Sequence, residues 1–350
     1  MDFLQALKNE IGHNGPITIH HFMQQCVLHY YSSQQVFGRD GDFVTSPEIS
    51  QMFGEMIGAW CADIWMQMGS PKEFRLVECG PGQGTLMADI LRATKSVPGF
   101  HEAMIVVLVE NSKALRQRQL QTLEGVHITW YSDWPQIEGD SPMIMITNEF
   151  LDALPIHQLQ YQEGRWRERV VGLSAVGELT YGLAEPHPVA TQSIPEGLPE
   201  PQEGDILEVS PSRRAFVDFV DQQLSLSGGA ALYIDYGHLQ SAYGDTLQAM
   251  KSHEYVHVLP TAGEADLTSH VDFAALQKHS EFLAHYTTTQ GAFLKALGIG
   301  LRAEALKQNA TPEQAKDIDS ALKRLCDNEE MGQLFKVLSV ASINLKPAGF

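Results

Sequence analysis

The apolar stretch from Phe74 runs straight into Glu78-Cys79-Gly80-Pro81-Gly82-Gln83-Gly84-Thr85-Leu86, a strand that must turn through three alternating glycines into a helix. Glycine permits such a turn and lets the backbone approach a ligand closely, while the helix behind it offers free N–H groups and a positive dipole end. Around this turn, short apolar strands alternate with helices. We read a helix over Thr85 to Thr94, a strand over Met104 to Glu110, a helix over Ser112 to Gln121, and strands over His127 to Tyr131 and Met143 to Thr147. Strands without a polar face, separated by helices, predict a mostly parallel α/β sheet covered on both sides.

The flanking sequence elaborates that sheet. Helices are expected over Met1 to Ile11, Ile17 to His29 and Ile49 to Met68, with a turn-rich stretch from Gly38 to Pro47. Ile49, Phe53, Met56, Ile57, Trp60 and Ile64 recur at helical spacing, and Ser46-Pro47-Glu48 reads as that helix's start, Ser as cap and Pro in the first turn. After Pro155 the pattern becomes a meander, His157 to Gln162, Arg165 to Val171 and Glu178 to Leu183, with a hairpin at Glu163-Gly164 and a Pro-rich connector from Pro186 to Pro201. Strand and helix then resume: a helix from Ser210-Pro211 to about Leu226, a strand from Ala230 to Asp235, helix at Val271 to Lys278, and last strands over Phe282 to Thr289 and Phe335 to Ile343. The domain reading is an N-terminal helical extension over 1–70, a first half of the Rossmann-like domain over 71–155, a β-meander insertion over 156–205, and the second half over 206–350 with a helical insertion near 291–333.

Composition narrows the function classes. With 24 basic and 43 acidic side chains the formal charge is −19, which repels phosphate backbones and disfavours broad nucleic-acid binding. No apolar run reaches the roughly 18 residues of a membrane-spanning helix. Cys26, Cys61, Cys79 and Cys326 form no C-x-x-C pair, so neither a zinc site nor a disulfide framework is expected, and reduced thiols fit a cytosolic setting. Asp2, Lys8 and Glu10 near the start do not read as a secretory signal, and a cytoplasmic location is the expectation.

Glycine spacing separates two nucleotide cofactors. A dinucleotide fingerprint is G-x-G-x-x-G; here the third glycine comes one place early, at Gly84, with Thr85 where that fingerprint has glycine. The loop is similar instead to the E/D-x-G-x-G-x-G turn of class I S-adenosylmethionine-dependent methyltransferases, although a plain strand-to-helix turn has the same composition. Glu110 ends the second strand, where a carboxylate can accept both ribose hydroxyls, or can simply start a helix in solvent. Tyr131-Ser132-Asp133-Trp134 ends the third and offers a carboxylate and an aromatic face to an adenine. Asn148-Glu149-Phe150-Leu151-Asp152 ends the fourth. Glu149 and Asp152, if on one side of a helical turn, can hold a guanidinium by charge-assisted bonds. Asp152 could equally cap the turn before Pro155. His270 and Asp272 are open between a polar cluster and a helix cap, Tyr236 could wall the acceptor site, and His20, His21 and His29 read as unclustered groups.

Five strings carry a wider resemblance: 41–50 (GDFVTSPEIS), Glu78 to Leu86, Asn148 to Pro155, Ile234-Asp235-Tyr236-Gly237, and Asp266-Leu267-Thr268-Ser269-His270-Val271-Asp272-Phe273. On these the chain resembles the MidA-type methyltransferase family, whose mitochondrial members are complex I assembly factors associated with symmetric arginine dimethylation. The resemblance implies a class I fold with an antiparallel last strand, S-adenosyl-L-methionine as cofactor, and a protein substrate with an accessible arginine, in a complex I-type subunit for the mitochondrial members. Together with the strand-end reading it places Ser46, Pro47, Glu78, Gly80, Pro81, Gly82, Gly84, Thr85, Leu86, Glu110, Asn111, Asp133 and Trp134 at the cofactor and Asn148, Glu149 and Asp152 at the catalytic edge. A nicotinamide oxidoreductase, a methyltransferase for another acceptor, and an assembly chaperone that binds the nucleoside without turnover are the competing readings.

Overall fold

The computed structural model describes residues 2–32, 45–277 and 280–350; the stretch 38–44, which includes the first four residues of the first resemblance string, and Lys278 lie outside the described residues. The chain gathers into two compact units, each made of three separate stretches of sequence.

The sheet unit comprises Val44–Leu151, Val217–Leu239 and Gln277–Phe350. Its strands are β1 Phe74–Cys79, β2 Met104–Val109, β3 Ile128–Tyr131, β4 Met143–Asn148, β5 Gly229–His238, β6 Leu283–Thr289 and β7 Phe335–Ser342. They lie in the order β6-β7-β5-β4-β1-β2-β3. The first five run parallel, and β7 runs antiparallel to both β5 and β6. Every residue of β1 and β4 is buried, as expected of strands apolar on both faces. Four helices matter for the site: α1 Ser46–Ile49, α2 Gln51–Gln67, α3 Thr85–Thr94 and α4 Lys113–Thr122. Phe53, Ile57, Trp60 and Ile64 of α2 are fully buried in the same core as Leu76, Ile90 and Ile146, each contributing about 2 kcal/mol by leaving water.

The entry to α2 differs from expectation. Thr45, not Ser46, precedes the four-residue α1, and Ser50 caps α2 by accepting the Met52 N–H at 3.2 Å. Pro47 does lie in a first turn, that of α1. Ser46 is released for other bonds.

The meander unit comprises Met1–Phe43, Asp152–Phe216 and Gln240–Leu276. The strands His157–Gln162, Arg165–Leu173 and Leu179–Ala184 are the meander, and Ile206–Val209 extends it by pairing with His157–Gln160. Helices Phe3–Asn14 and Ile19–Ser32 bury Leu7, Ile11, Phe22 and Met23 with Ile156, Val171 and Leu267, so these helices belong to this core. A small sheet of Gln248–Lys251, Glu254–Val256 and Asp266–Thr268 was not anticipated. Helix was expected from Val271; only Phe273–Leu276 is helical, opened by Asp272 accepting the Ala275 N–H. Asp272 therefore acts as the cap. His20, read as unclustered, stacks on His157 at 4.6 Å, with His187 next at 6.0 Å. Among the described residues no helix is long and apolar enough to cross a membrane.

Candidate active site

In a parallel sheet, ligands gather at the carboxyl ends of strands where the order reverses, here between β1 and β4. The register sets Cys79 beside Thr147 and Val109, so the glycine turn and Asn148-Glu149 leave the sheet side by side. Gly80 and Gly84 both have positive φ, +68° and +84°. A Cβ on Gly80 would lie 2.9 Å from the Phe150 ring, so backbone and aromatic ring close on each other where a side chain would not fit. Gly84 donates to Pro81 O at 2.8 Å and opens α3, whose first turn carries half-buried Thr85 and buried Leu86.

Buried polar atoms at this edge lack partners. Glu78 Oε2, Thr147 Oγ1, Asn148 Oδ1 and Ser46 Oγ are buried with no hydrogen-bond partner among the described residues. Such atoms are costly unless something binds them. Burial pushes the Glu78 carboxyl up to about 8. A cluster of unsatisfied donors and acceptors beside a glycine turn fits the amino-acid end of a nucleoside-type cofactor.

Glu110 is 8% exposed, so it is no solvated helix-start acid. Its Oε1 accepts the Ser112 N–H at 2.8 Å and its Oε2 faces the Gln119 amide at 3.4 Å. Burial pushes it up to about 7, opposed by the bonds from Ser112 and Gln119 and by the Arg116 charge. Asn111 is exposed in the same turn. Asp133 is exposed; its Oδ1 accepts the Trp134 N–H at 2.8 Å, and the Trp134 ring packs on Phe219 at 5.1 Å. Pro47 and Pro81 are buried. Gln83, a position given no weight above, donates to Glu48 at 2.9 Å and ties the glycine turn to α1.

Glu149 is the unusual residue. Its φ is +52°, a left-handed conformation that costs a non-glycine residue about 1 kcal/mol or more. Its N–H bonds Ile234 O at 3.0 Å, and its Oε1 accepts both the Ser46 N–H and Asn148 Nδ2 at 3.0 Å. The helical turn invoked for Glu149 and Asp152 does not form, because a left-handed residue breaks it. Asp152 begins the other unit and its Oδ1 accepts the Ala153 N–H at 2.9 Å, so it serves its own turn. Two residues went unassigned in the sequence. Fully buried Asp235 accepts the N–H groups of Phe150 and Leu151 and so holds the backbone beyond Glu149; its place at the end of the strand expected over Ala230 to Asp235, in the Ile234-Asp235-Tyr236-Gly237 string, was the available signal. Gln119 gave none. Tyr236 packs edge-on against Phe335 at 5.5 Å.

Comparison with known proteins agrees with this geometry. Residues 56–290 match the model of an S-adenosyl-L-methionine-dependent methyltransferase family. A protein from Danio rerio named protein arginine methyltransferase NDUFAF7, mitochondrial, is 33% identical, covering 96% of this chain and 86% of its own length. The Homo sapiens protein of that name is 32% identical, covering 96% and 82%. Those relatives are named mitochondrial, so they lend the cytoplasmic expectation no support. A solved COG1565 superfamily protein from Burkholderia thailandensis, bound to S-adenosyl-homocysteine, has a TM-score of 0.80 at 26% identity, covering 97% of this chain and 91% of that one. With the 3-2-1-4-5 parallel core, the antiparallel last strand and this match over most of its length, the chain belongs to the S-adenosyl-L-methionine-dependent methyltransferase family.

Proposed function

We propose that the acceptor is a guanidino nitrogen of a protein arginine, and that Glu149 holds it. The observation that carries this reading is the strained, backbone-anchored carboxylate of Glu149 at the sheet's switch point, oriented by Ser46 and Asn148. Bound S-adenosylmethionine supplies an electrophilic methyl on a sulfonium. What the chain adds is alignment, charge and proton management. Gly80, Gly82 and Gly84, with Pro81, Thr85 and Leu86, shape the turn; Glu78, Ser46 and Pro47 border the amino-acid end; Glu110 and Asn111 take the ribose; Asp133 and Trp134 meet the adenine. Glu149 pairs with the guanidinium by a charge-assisted bond, turns one nitrogen toward the methyl and receives the proton that nitrogen releases. Asn148 keeps the carboxylate in that rotamer, and Asp152 shapes the turn behind it.

The names of the curated relatives support the arginine acceptor. From the resemblance we further infer symmetric dimethylation, on a respiratory-complex subunit. The test is to incubate the purified chain with labelled cofactor and lysate and locate the label by mass spectrometry. Dimethylarginine on a protein supports the reading. Label confined to lipid or a small metabolite overturns it, and a Glu149→Gln variant that keeps partner binding and cellular function would favour a chaperone role.

A further inference from the structure

We infer that Gln119 is a positioning residue of the cofactor site, an amide that locks Glu110 and the glycine turn into one rigid element and thereby sets how strictly the site demands ribose hydroxyls. The inference rests on the assignment of Glu110 to the ribose. Gln119 is fully buried, the one residue of helix α4 that is. Burying an amide is costly unless it is fully bonded, and this one is. Its Oε1 accepts the Trp130 indole N–H at 2.9 Å; its Nε2 donates to Gly82 O at 2.8 Å and faces Glu110 Oε2 at 3.4 Å.

The orientation of that amide is not arbitrary. Indole N–H can only donate, so the carbonyl end of Gln119 must face Trp130 and the NH2 end must face the two acceptors. One side chain thus joins three successive strand ends: the turn after β1, the acid after β2, and β3 through Trp130. Glu110 carries two oxygens that could rotate between several partners. With Oε1 on the Ser112 N–H and Oε2 against Gln119, the carboxylate plane is fixed before ligand arrives, which lowers the ordering cost of gripping a vicinal diol.

The test measures binding of S-adenosyl-homocysteine and its 2′-deoxy analogue to the full chain and to Gln119→Met, Gln119→Glu and Glu110→Ala. The unaltered protein should prefer the ribose form by about tenfold, the worth of one charge-assisted bond. Gln119→Met should bind S-adenosyl-homocysteine about tenfold more weakly and prefer it by about threefold or less, and in the Glu110→Ala background it should change little, because the two act as a unit. Gln119→Glu keeps the acceptor for Trp130 and tests the same point should the Met variant fold poorly. Its carboxyl can donate only when protonated, so its deficit relative to the unaltered protein should be larger at high pH than at low pH, the titratable and charged groups that face it being Glu110 and, beyond it, Arg116. Full ribose discrimination in Gln119→Met, or in Gln119→Glu at pH 8.5, with discrimination lost in Glu110→Ala, overturns the inference alone. Discrimination retained in Glu110→Ala overturns the ribose assignment and the inference with it.

Discussion

Three buried or largely buried charged groups of the meander unit differ from the carboxyl edge of the sheet in how far their polar atoms are bonded. In the meander unit Arg213, 4% exposed, donates to the carbonyls of Asp152, Ser269 and His270 and to Ser269 Oγ. Glu208 accepts from Gln158, from Leu247 N–H and from both the N–H and hydroxyl of Thr246. Glu168 bonds His157 and the His187 N–H. In the sheet unit, by contrast, Glu78, Thr147, Asn148 and Ser46 keep buried atoms without partners at the edge that carries the glycine turn. Satisfied burial maintains a fold; unsatisfied burial at one edge marks where a ligand completes the bonding.

The largest expected effect tests the unsatisfied edge. Glu149→Gln should lower the rate of methyl transfer by about 10²–10⁴-fold, the range for removing a positioned proton acceptor, while S-adenosyl-homocysteine affinity stays within about threefold. Kinetics with labelled cofactor alongside calorimetry separate the two. Equal losses in both would make Glu149 part of the cofactor pocket rather than the acceptor site.

Arg213→Met should do the reverse. Three carbonyl oxygens and a hydroxyl lose their donor at once, which should destabilise the protein by about 3 kcal/mol in denaturant unfolding. Cofactor affinity of the folded fraction should not change. A stable Arg213→Met variant would break the contrast, because it would show that satisfied buried charge in the meander unit contributes nothing.

The central sheet was legible because its strands carry no polar face and its helices show periodicity. The glycine turn, Glu110 and Glu149 were legible because strand ends announce themselves by where apolar runs stop. What the sequence concealed is tertiary bonding. The partition of residues 3–32 from residues 46–67 depends on which core accepts each apolar face, and both stretches read simply as amphipathic helices. Ile206–Val209 drew no strand assignment because its partner, His157–Gln160, lies far off in sequence. The sequence pattern put the helix cap at Ser46, whereas Ser50 caps α2 and the Ser46 N–H bonds Glu149 instead. Glu149 and Asp152 share helical spacing on paper, but a positive φ at Glu149 denies them a helix.

Glu78 sharpens the comparison through pH. Its carboxyl stands near 8 in the folded protein and near 4.5 when unfolded. Between those values the folded state holds a proton that the unfolded state has released, so stability falls as pH rises from about 4.5 and the loss is complete above about 8. Glu110 acts in the same sense up to about 7. Glu78→Gln removes the larger contribution. Without cofactor, its thermal unfolding should be flatter with pH and favour the variant at pH 8.5 on the order of 2 kcal/mol. Parallel curves for the two proteins would mean that Glu78 is already satisfied at this edge.

The smallest effect sets two serines four residues apart against each other within the sheet unit. Ser50 Oγ accepts the Met52 N–H and caps α2, so Ser50→Ala should cost about 1 kcal/mol of stability and leave cofactor affinity unchanged. Ser46 Oγ is buried without a partner, so Ser46→Ala removes an unsatisfied group and should be neutral or slightly stabilising without ligand. If that hydroxyl meets the cofactor, the same change should weaken S-adenosyl-homocysteine binding by about five- to tenfold. The backbone N–H of Ser46 survives in the alanine, so its bond to Glu149 Oε1 stays and any loss is assignable to the hydroxyl. Thermal unfolding and calorimetry on the pair therefore read one contrast twice. A Ser46→Ala variant that loses stability and keeps affinity would show that buried, unpartnered atoms at this edge do not report ligand contact.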